Sequence, residues 1–457
     1  MQHIMARSAL RRKGRTVACA AVTSPTDDPA LANALRALGC ANATELSIGG
    51  IPARELAERF GTPLYVFSAE VLDARLRAVQ DALGPRLGVL YSIKSNPSLA
   101  VTARLREGGA GAEIASLGEL HLAIAAGHAP SALRFAGPGK TDAEIQAALK
   151  LGLGCFHVES ADEVRAIAAA AQAARQRAGV AVRINLPQEL GGSRMRMSGR
   201  TSRFGVDAAE APLLLREIAA SAPLHLRGLH VYAGTQGFDA AAFVRHAKAL
   251  VLAAEQWERE LGISLDELDL GGGFGIATYA GDPEFDLAAA GRGLQELIAE
   301  HDRPGRVWLV ELGRFLTAPC GVYLTRVVRS KLSGGEAHLA LDGGMHQHAA
   351  ACGIGTVLRR PPLLVHATDL RGSPVAKVTL GGPLCTPADQ FAEQLALPPL
   401  RSGDLLAVLA AGAYGLTYSP HGFLSHATPA EVMIAGGSAR IVRERGRAED
   451  GLRGQHL

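Results

Sequence analysis

No two cysteines in this chain are spaced to form a metal knuckle or a redox pair. The six, Cys19, Cys40, Cys155, Cys320, Cys352 and Cys385, are scattered with no CxxC spacing. That pattern argues against a zinc ribbon or a disulfide scaffold and fits reduced thiols in the cytoplasm; no metal site is expected. Also missing is any apolar run near the ~18 residues a membrane span needs, so no membrane partner is expected. Excess charge is missing too: 47 Lys and Arg against 44 Asp and Glu leave a formal net charge of +3, too small to imply a nucleic-acid partner. The opening MQHIMARSALRRKGRTVACAAV is basic and then small and apolar. Its apolar part is weak, so it reads as a disordered extension more readily than as a targeting peptide.

What is present is a large globular core. The chain has 457 residues, 48% of them hydrophobic and 20% charged, enough for two domains if one is a barrel. Residues 1–44 show no sustained periodicity and 441–457 are charged and broken by glycine, so both ends are expected to be loose. From 68 to 315 the rhythm is regular: VLYSIK, GAEIAS, LRFAGPGK, GCFHVES, VAVRINL, LRGLHVYAG, LDELDLGGG and VWLVELGR are short apolar strands, separated by amphipathic, mostly alanine-rich helices. Alternation of this kind calls for parallel strands, and eight repeats predict an α/β chain with a closed (β/α)8 TIM barrel. After Arg314 the segments GVYLTRVVRSKL, EAHLALDGG, VAKVTLGG and AEVMIAGG are rich in β-formers and punctuated by Gly and Pro. They predict a second, mostly antiparallel β domain over 316–440, which residues 45–67 join.

The barrel gathers the candidate residues. Lys94 ends the first strand just before the Asn96-Pro97 break, where partial desolvation favours a neutral amine suited to Schiff-base chemistry; the bland alternative is a surface lysine. Tyr232 and Thr235 follow strand six, Gly271, Gly272 and Gly273 end strand seven, and Glu311 and Arg314 end strand eight. All fall at the carboxyl rim, where barrel enzymes carry their active sites. The run GGGFG offers bare backbone to a phosphate. It lacks GxGxxG spacing, which points to a compact cofactor in place of a dinucleotide. Glu311, on a buried strand, needs a partner: either Arg314, three residues on, or a pyridinium nitrogen. A Schiff-base lysine, a phosphate loop and an acid for a ring nitrogen together describe pyridoxal 5'-phosphate (PLP).

These residues resemble the fold-type III PLP-dependent decarboxylases, with their alanine-racemase-like barrel, in the diaminopimelate and ornithine decarboxylase family. The likeness runs from about 45 to 435 through YSIKSN, GAGAEIASLGEL, SRFG, GLHVYAGTQ, DLGGGFGI, ELGR, GGPLCTPAD and GAYG. The resemblance implies that Lys94 carries the cofactor, that Glu311 holds the ring nitrogen protonated, and that the glycines, Thr235, Arg314 and Tyr414 bind the phosphate. It implies a homodimer with shared active sites, in which Cys385 of one subunit returns a proton to the α-carbon in the other. Substrate would be held by Arg314, Arg360, Thr386 and Tyr414.

Departures bear on the substrate. Tyr232 stands where the family has a histidine stacked on the ring, Glu113 replaces an aspartate, and Leu312 replaces the proline of EPGR. Thr386 replaces the glutamate that follows the cysteine in diaminopimelate decarboxylases, and Leu364 replaces a tyrosine of their RPxLY segment, while Arg360 remains. Losing a charge and a hydroxyl weakens selection for a zwitterionic end, so meso-diaminopimelate is not the expected substrate. The texture resembles the biosynthetic branch that acts on modified or carrier-tethered amino acids. The basic insertion with Arg194, Arg196, Arg200 and Arg203 would suit an anionic substrate or an acidic acyl carrier protein; a solvated loop or a helper for the cofactor phosphate is the alternative. Other readings are a diaminopimelate, ornithine or lysine decarboxylase, a racemase on the same barrel, and a non-catalytic PLP-binding regulator.

Overall fold

Short apolar strands alternate with helices because each strand here is buried on both faces and each helix covers one of them. In the computed structural model, which describes residues 28–186, 195–196, 202–232, 234–355 and 360–457, eight parallel strands close into a barrel. They are Leu87–Ser92, Gly111–Ile114, Leu133–Phe135, Cys155–Val158, Ala178–Asn185, Leu224–Val231, Glu267–Gly272 and Val307–Leu312. The last pairs with the first, Glu311 opposite Leu90, so the barrel sheet keeps no free edge. Local signals set the helices. Thr141 and Glu144 form a reciprocal capping box before Asp142–Leu151, and Ser68 and Asp239 cap the helices that follow them.

The second domain is a mixed sheet. Its long strand Gly321–Ser333 pairs antiparallel with Leu64–Ser68, Glu336–Leu341 and Leu405–Val408. Two pairings are parallel, Leu64–Ser68 with Ala430–Ala435 and Glu336–Leu341 with Ala376–Gly381. Barrel and sheet meet where Tyr414 N–H donates to Ser95 O at 2.7 Å and Asn96 Nδ2 donates to Gly412 O at 2.9 Å.

Two end regions differ from expectation. Pro29–Ala37 is a helix capped by Asp28, and its buried Ala30, Leu31 and Leu35 pack with Leu46, Ile48 and Val365. Nine residues are too few for a sustained period, which is why the sequence reads as loose there. At the other end, the strand Ser438–Arg443 continues the sheet, and Arg445 donates to the carbonyls of Phe60 and Pro63. Charge in that tail anchors it to the β domain in place of merely solvating it.

Candidate active site

Strand one stops at Ser92, and the short turn Ile93–Ser95 throws Lys94 into the barrel mouth. Its Nζ lies 2.8 Å from each oxygen of Glu113, a buried side chain on strand two. Burial by itself would lower the lysine pKa, but the charges of Glu113 and then Glu311 outweigh it and raise it. The neutral amine expected from partial desolvation is therefore replaced by a paired cation, because a carboxylate this close favours the charged form.

Lys94, Ser92, Tyr232, Thr235, Gly273, Glu311, Arg314 and Tyr414 line one cleft. At its floor the glycines are required by space. A Cβ on Gly272 would lie 1.6 Å from Glu311 O, and one on Gly273, at φ +96°, would lie 1.9 Å from Gly234 O. Only bare backbone lets strands six, seven and eight approach so closely. Tyr232 is hydrogen-bonded to Thr235, and burial pushes its phenol up to about 12. The guanidinium carbon of Arg314 sits 4.3 Å from the centre of the Tyr414 ring. Tyr414 itself has φ +51°, a left-handed conformation that a bulky residue adopts only when its surroundings compel it. Here its N–H bond to Ser95 does so.

Glu311 does not take Arg314 as its partner. Its Oε2 is 3.3 Å from His230 Nε2 and its Oε1 is 3.7 Å from His157 Nδ1. Glu113, His157, His230 and Glu311 come from strands two, four, six and eight, the alternation that places four side chains in one layer of a barrel lumen. Sequence reasoning passed over His157, His230 and Asp269. Their signal is an ionisable residue inside an apolar strand, as in CFHV, GLHV and LDLGG.

Other expected residues lie elsewhere. Cys385 is exposed on the loop between Ala376–Gly381 and Gln390–Leu397, outside the lining of the Lys94 cleft. Asp389 shapes that loop by accepting from Leu384 N at 2.8 Å and Met345 N at 2.6 Å. Thr386 faces a separate groove with Arg329, Lys331, His338 and Thr379. Arg360 is paired with Asp282 and lies 5.2 Å from the centre of the Tyr279 ring. Leu364 is buried in the second domain. Arg194, Arg200 and the side chain of Arg196 lie outside the described residues; Arg203 is exposed, over the Phe204 ring.

The cleft fits PLP. Glu311 Oε1 is buried without a hydrogen-bond partner and Arg314 Nε likewise, one suited to a ring N–H and the other to a phosphate oxygen. Lys94 lines the same cleft and would take the aldehyde.

Comparison with known proteins agrees. Residues 69–318 match the pyridoxal binding domain of the pyridoxal-dependent decarboxylases. The chain is 33% identical over 401 residues to the L-glutamyl-[BtrI acyl-carrier protein] decarboxylase of Niallia circulans, spanning 86% of this chain and 94% of that protein. It is 32% identical to the diaminopimelate decarboxylase of Zymomonas mobilis over 89% of this chain and 96% of that one. Among solved structures, the diaminopimelate decarboxylase of Helicobacter pylori in complex with L-lysine superposes with TM-score 0.80 at 26% identity, covering 88% of this chain and 98% of that one. The enzyme of that name from M. jannaschii gives 0.83 at 25% identity, covering 91% and 97%. A PLP cleft, a closed eight-stranded barrel and these likenesses together place the chain in the family of pyridoxal-dependent decarboxylases, enzymes that use PLP to remove the carboxylate of an amino acid or amino-acid derivative.

Proposed function

We propose that the substrate is an amino-acid derivative carried on an acyl carrier protein, and that two copies of the chain share each active site. The observation that carries this reading is the groove beside Cys385 and Thr386. Arg329, Lys331 and His338 line it, and among the described residues no carboxylate pairs with any of the three. Its acid, Asp389, is occupied by backbone N–H groups. Such a groove suits a phosphate-bearing tether and an acidic partner. Two details disfavour a free diamino acid: Thr386 brings no charge, and Arg360 is already held by Asp282. The similarity to a decarboxylase of carrier-bound glutamyl groups supports the same choice.

Bound PLP supplies an electron sink for the pair left behind when the α-carboxylate departs. The chain does the rest. Lys94 provides the amine that anchors the cofactor, and Glu113 holds and orients that amine. Glu311, braced by His230, would accept the hydrogen bond of the ring nitrogen and so stabilise charge that grows in the transition state. Gly271, Gly272, Gly273, Thr235, Arg314 and Tyr414 would hold the phosphate, and Tyr232 would lie against the ring. Cys385 of the partner subunit delivers a proton to the α-carbon. The five described cysteines are free thiols, in keeping with a cytoplasmic enzyme.

Carbon dioxide release is the test, with carrier-loaded glutamate, free glutamate, diaminopimelate, ornithine, lysine and arginine offered in parallel. The carrier-loaded form is expected to be favoured at least about a hundredfold, the scale of discrimination a polar site reaches. Best turnover of diaminopimelate overturns the reading of Thr386 and Leu364. Shared sites predict that Lys94→Ala and Cys385→Ala proteins, each inactive, regain activity when mixed into heterodimers; heterodimers without activity count against them.

A further inference from the structure

Below the cleft, the lumen is filled by ionisable side chains where a barrel ordinarily packs branched apolar ones. The His157 ring stacks on His230 with centroids 4.3 Å apart. Its Nδ1 is 3.7 Å from Glu311 Oε1 and its Nε2 is 4.0 Å from Asp269 Oδ2. All four side chains are buried. His157 Nδ1 and Nε2, His230 Nδ1, Asp269 Oδ2 and Glu311 Oε1 have no hydrogen-bond partner. Bare buried atoms of this kind are costly, and an approach of under about 1 Å closes both gaps. Asp269 is not free to turn away, because its Oδ1 accepts the N–H of Gly271, first of the glycine run, at 2.9 Å.

The cations nearby are engaged. Arg134 holds Glu267 through contacts of 2.6 and 2.7 Å and Arg227 adds one of 3.2 Å. Arg183 pairs with Glu159, Lys140 with Glu163 and Lys94 with Glu113. Among the described residues no cation pairs with Asp269, so two carboxylates and two imidazoles share a buried pocket. Two bare anions there would repel each other with little solvent to screen them.

We propose that Asp269 keeps its proton and, acting through His157, holds Glu311 as the anion that the cofactor's ring nitrogen needs. Asp269 Oδ2–H donates to His157 Nε2, which leaves the His157 hydrogen on Nδ1, and that N–H donates to Glu311 Oε1. His230 donates its Nε2–H to Glu311 Oε2. This pattern partners every orphan but His230 Nδ1 and puts the negative charge on Glu311 alone. Burial, with the Glu311 charge added, pushes the Asp269 carboxyl well above the usual carboxylate range, and burial holds both rings well below the usual imidazole range. His157 and Asp269 are positioning residues, since neither lines the cleft. The inference rests on PLP binding and not on the carried substrate.

Asp269→Asn decides it. The amide can still accept from Gly271 and donate to His157, so PLP affinity, measured by equilibrium dialysis of apo-protein against PLP, is expected to stay within about threefold of the parent. Asp269→Leu and His157→Leu each remove the relay and are expected to weaken PLP binding at least about tenfold at neutral pH, about 1.4 kcal/mol of binding free energy. An ionised Asp269 predicts that Asn is as damaging as Leu, and that result overturns the proposal. The second measurement is the tautomer of His157 in apo-protein by nitrogen NMR: hydrogen on Nδ1 supports the relay, hydrogen on Nε2 overturns it. If the Leu variants fail to fold, the Asn variant and the tautomer decide. Stoichiometric zinc in the purified protein also overturns it, because a cation in this cluster would ionise Asp269.

Discussion

Lys94 is a cation paired with Glu113, whereas attack on an aldehyde requires the neutral amine, so the Glu113 carboxylate sets the pH at which the apo-protein captures PLP. Removing the countercharge in Glu113→Gln leaves burial opposed chiefly by the more weakly acting Glu311 and lowers the lysine pKa. The midpoint of PLP capture, followed by absorbance across pH, is expected to fall by about one to three units; an unmoved midpoint means another group controls the amine. The sequence named the lysine and mis-stated its charge, because residue order cannot show that position 113 on the next strand points at position 94. Glu311 was legible as a buried acid in search of a partner, but the partner was not. Arg314 is nearer in sequence, yet the barrel lumen delivers His157 and His230 from strands four and six.

At the scale of elements, two loops carry the chemistry and each has its own fastening. The glycine run works because strands six, seven and eight touch there. Gly273→Ala drives a methyl against Gly234 O in a left-handed conformation, so it is expected to cost roughly 1–3 kcal/mol of stability and to abolish PLP binding. A thermal melt and a PLP titration check both. The Cys385 loop is fastened by Asp389, whose carboxylate receives two backbone N–H groups. Asp389→Ala frees them at roughly 1–3 kcal/mol each. It is expected to lower kcat about tenfold with PLP affinity unchanged, since the loop lies outside the cofactor cleft of its own chain. A matching loss of PLP affinity would place the loop elsewhere.

Across the whole molecule, buried histidines make stability depend on pH. Burial lowers His246 to about 4, and burial with the Arg106 charge brings His128 to about 4. Unfolded chains take up these protons near the ordinary imidazole pKa of ~6.5, whereas the folded protein resists until about 4. Between those values the unfolded state binds more protons, so stability rises with pH through this window and is lost as pH falls, by about 3 kcal/mol at most for a ring fully titrated. Melting temperature is therefore expected to drop steadily from pH 7 to pH 4.5, and His246→Phe should flatten the curve. An equally steep curve in that variant would assign the slope to other groups.

The eight strands and their helices were determined by the sequence itself, because a strand buried on both faces must read as an apolar run and a helix covering it must carry one apolar stripe. The rim position of Lys94, the glycines, Glu311 and Arg314 followed from that count. Tertiary structure alone decided which side chains meet across the lumen, that Tyr414 of the β domain lines the Lys94 cleft, and that Cys385 lies outside the lining of that cleft in its own chain. The physical reason is one of range: periodicity and turn chemistry act over a few residues, whereas a polar layer at the heart of a barrel is assembled from residues some 200 positions apart, joined only once the sheet has closed.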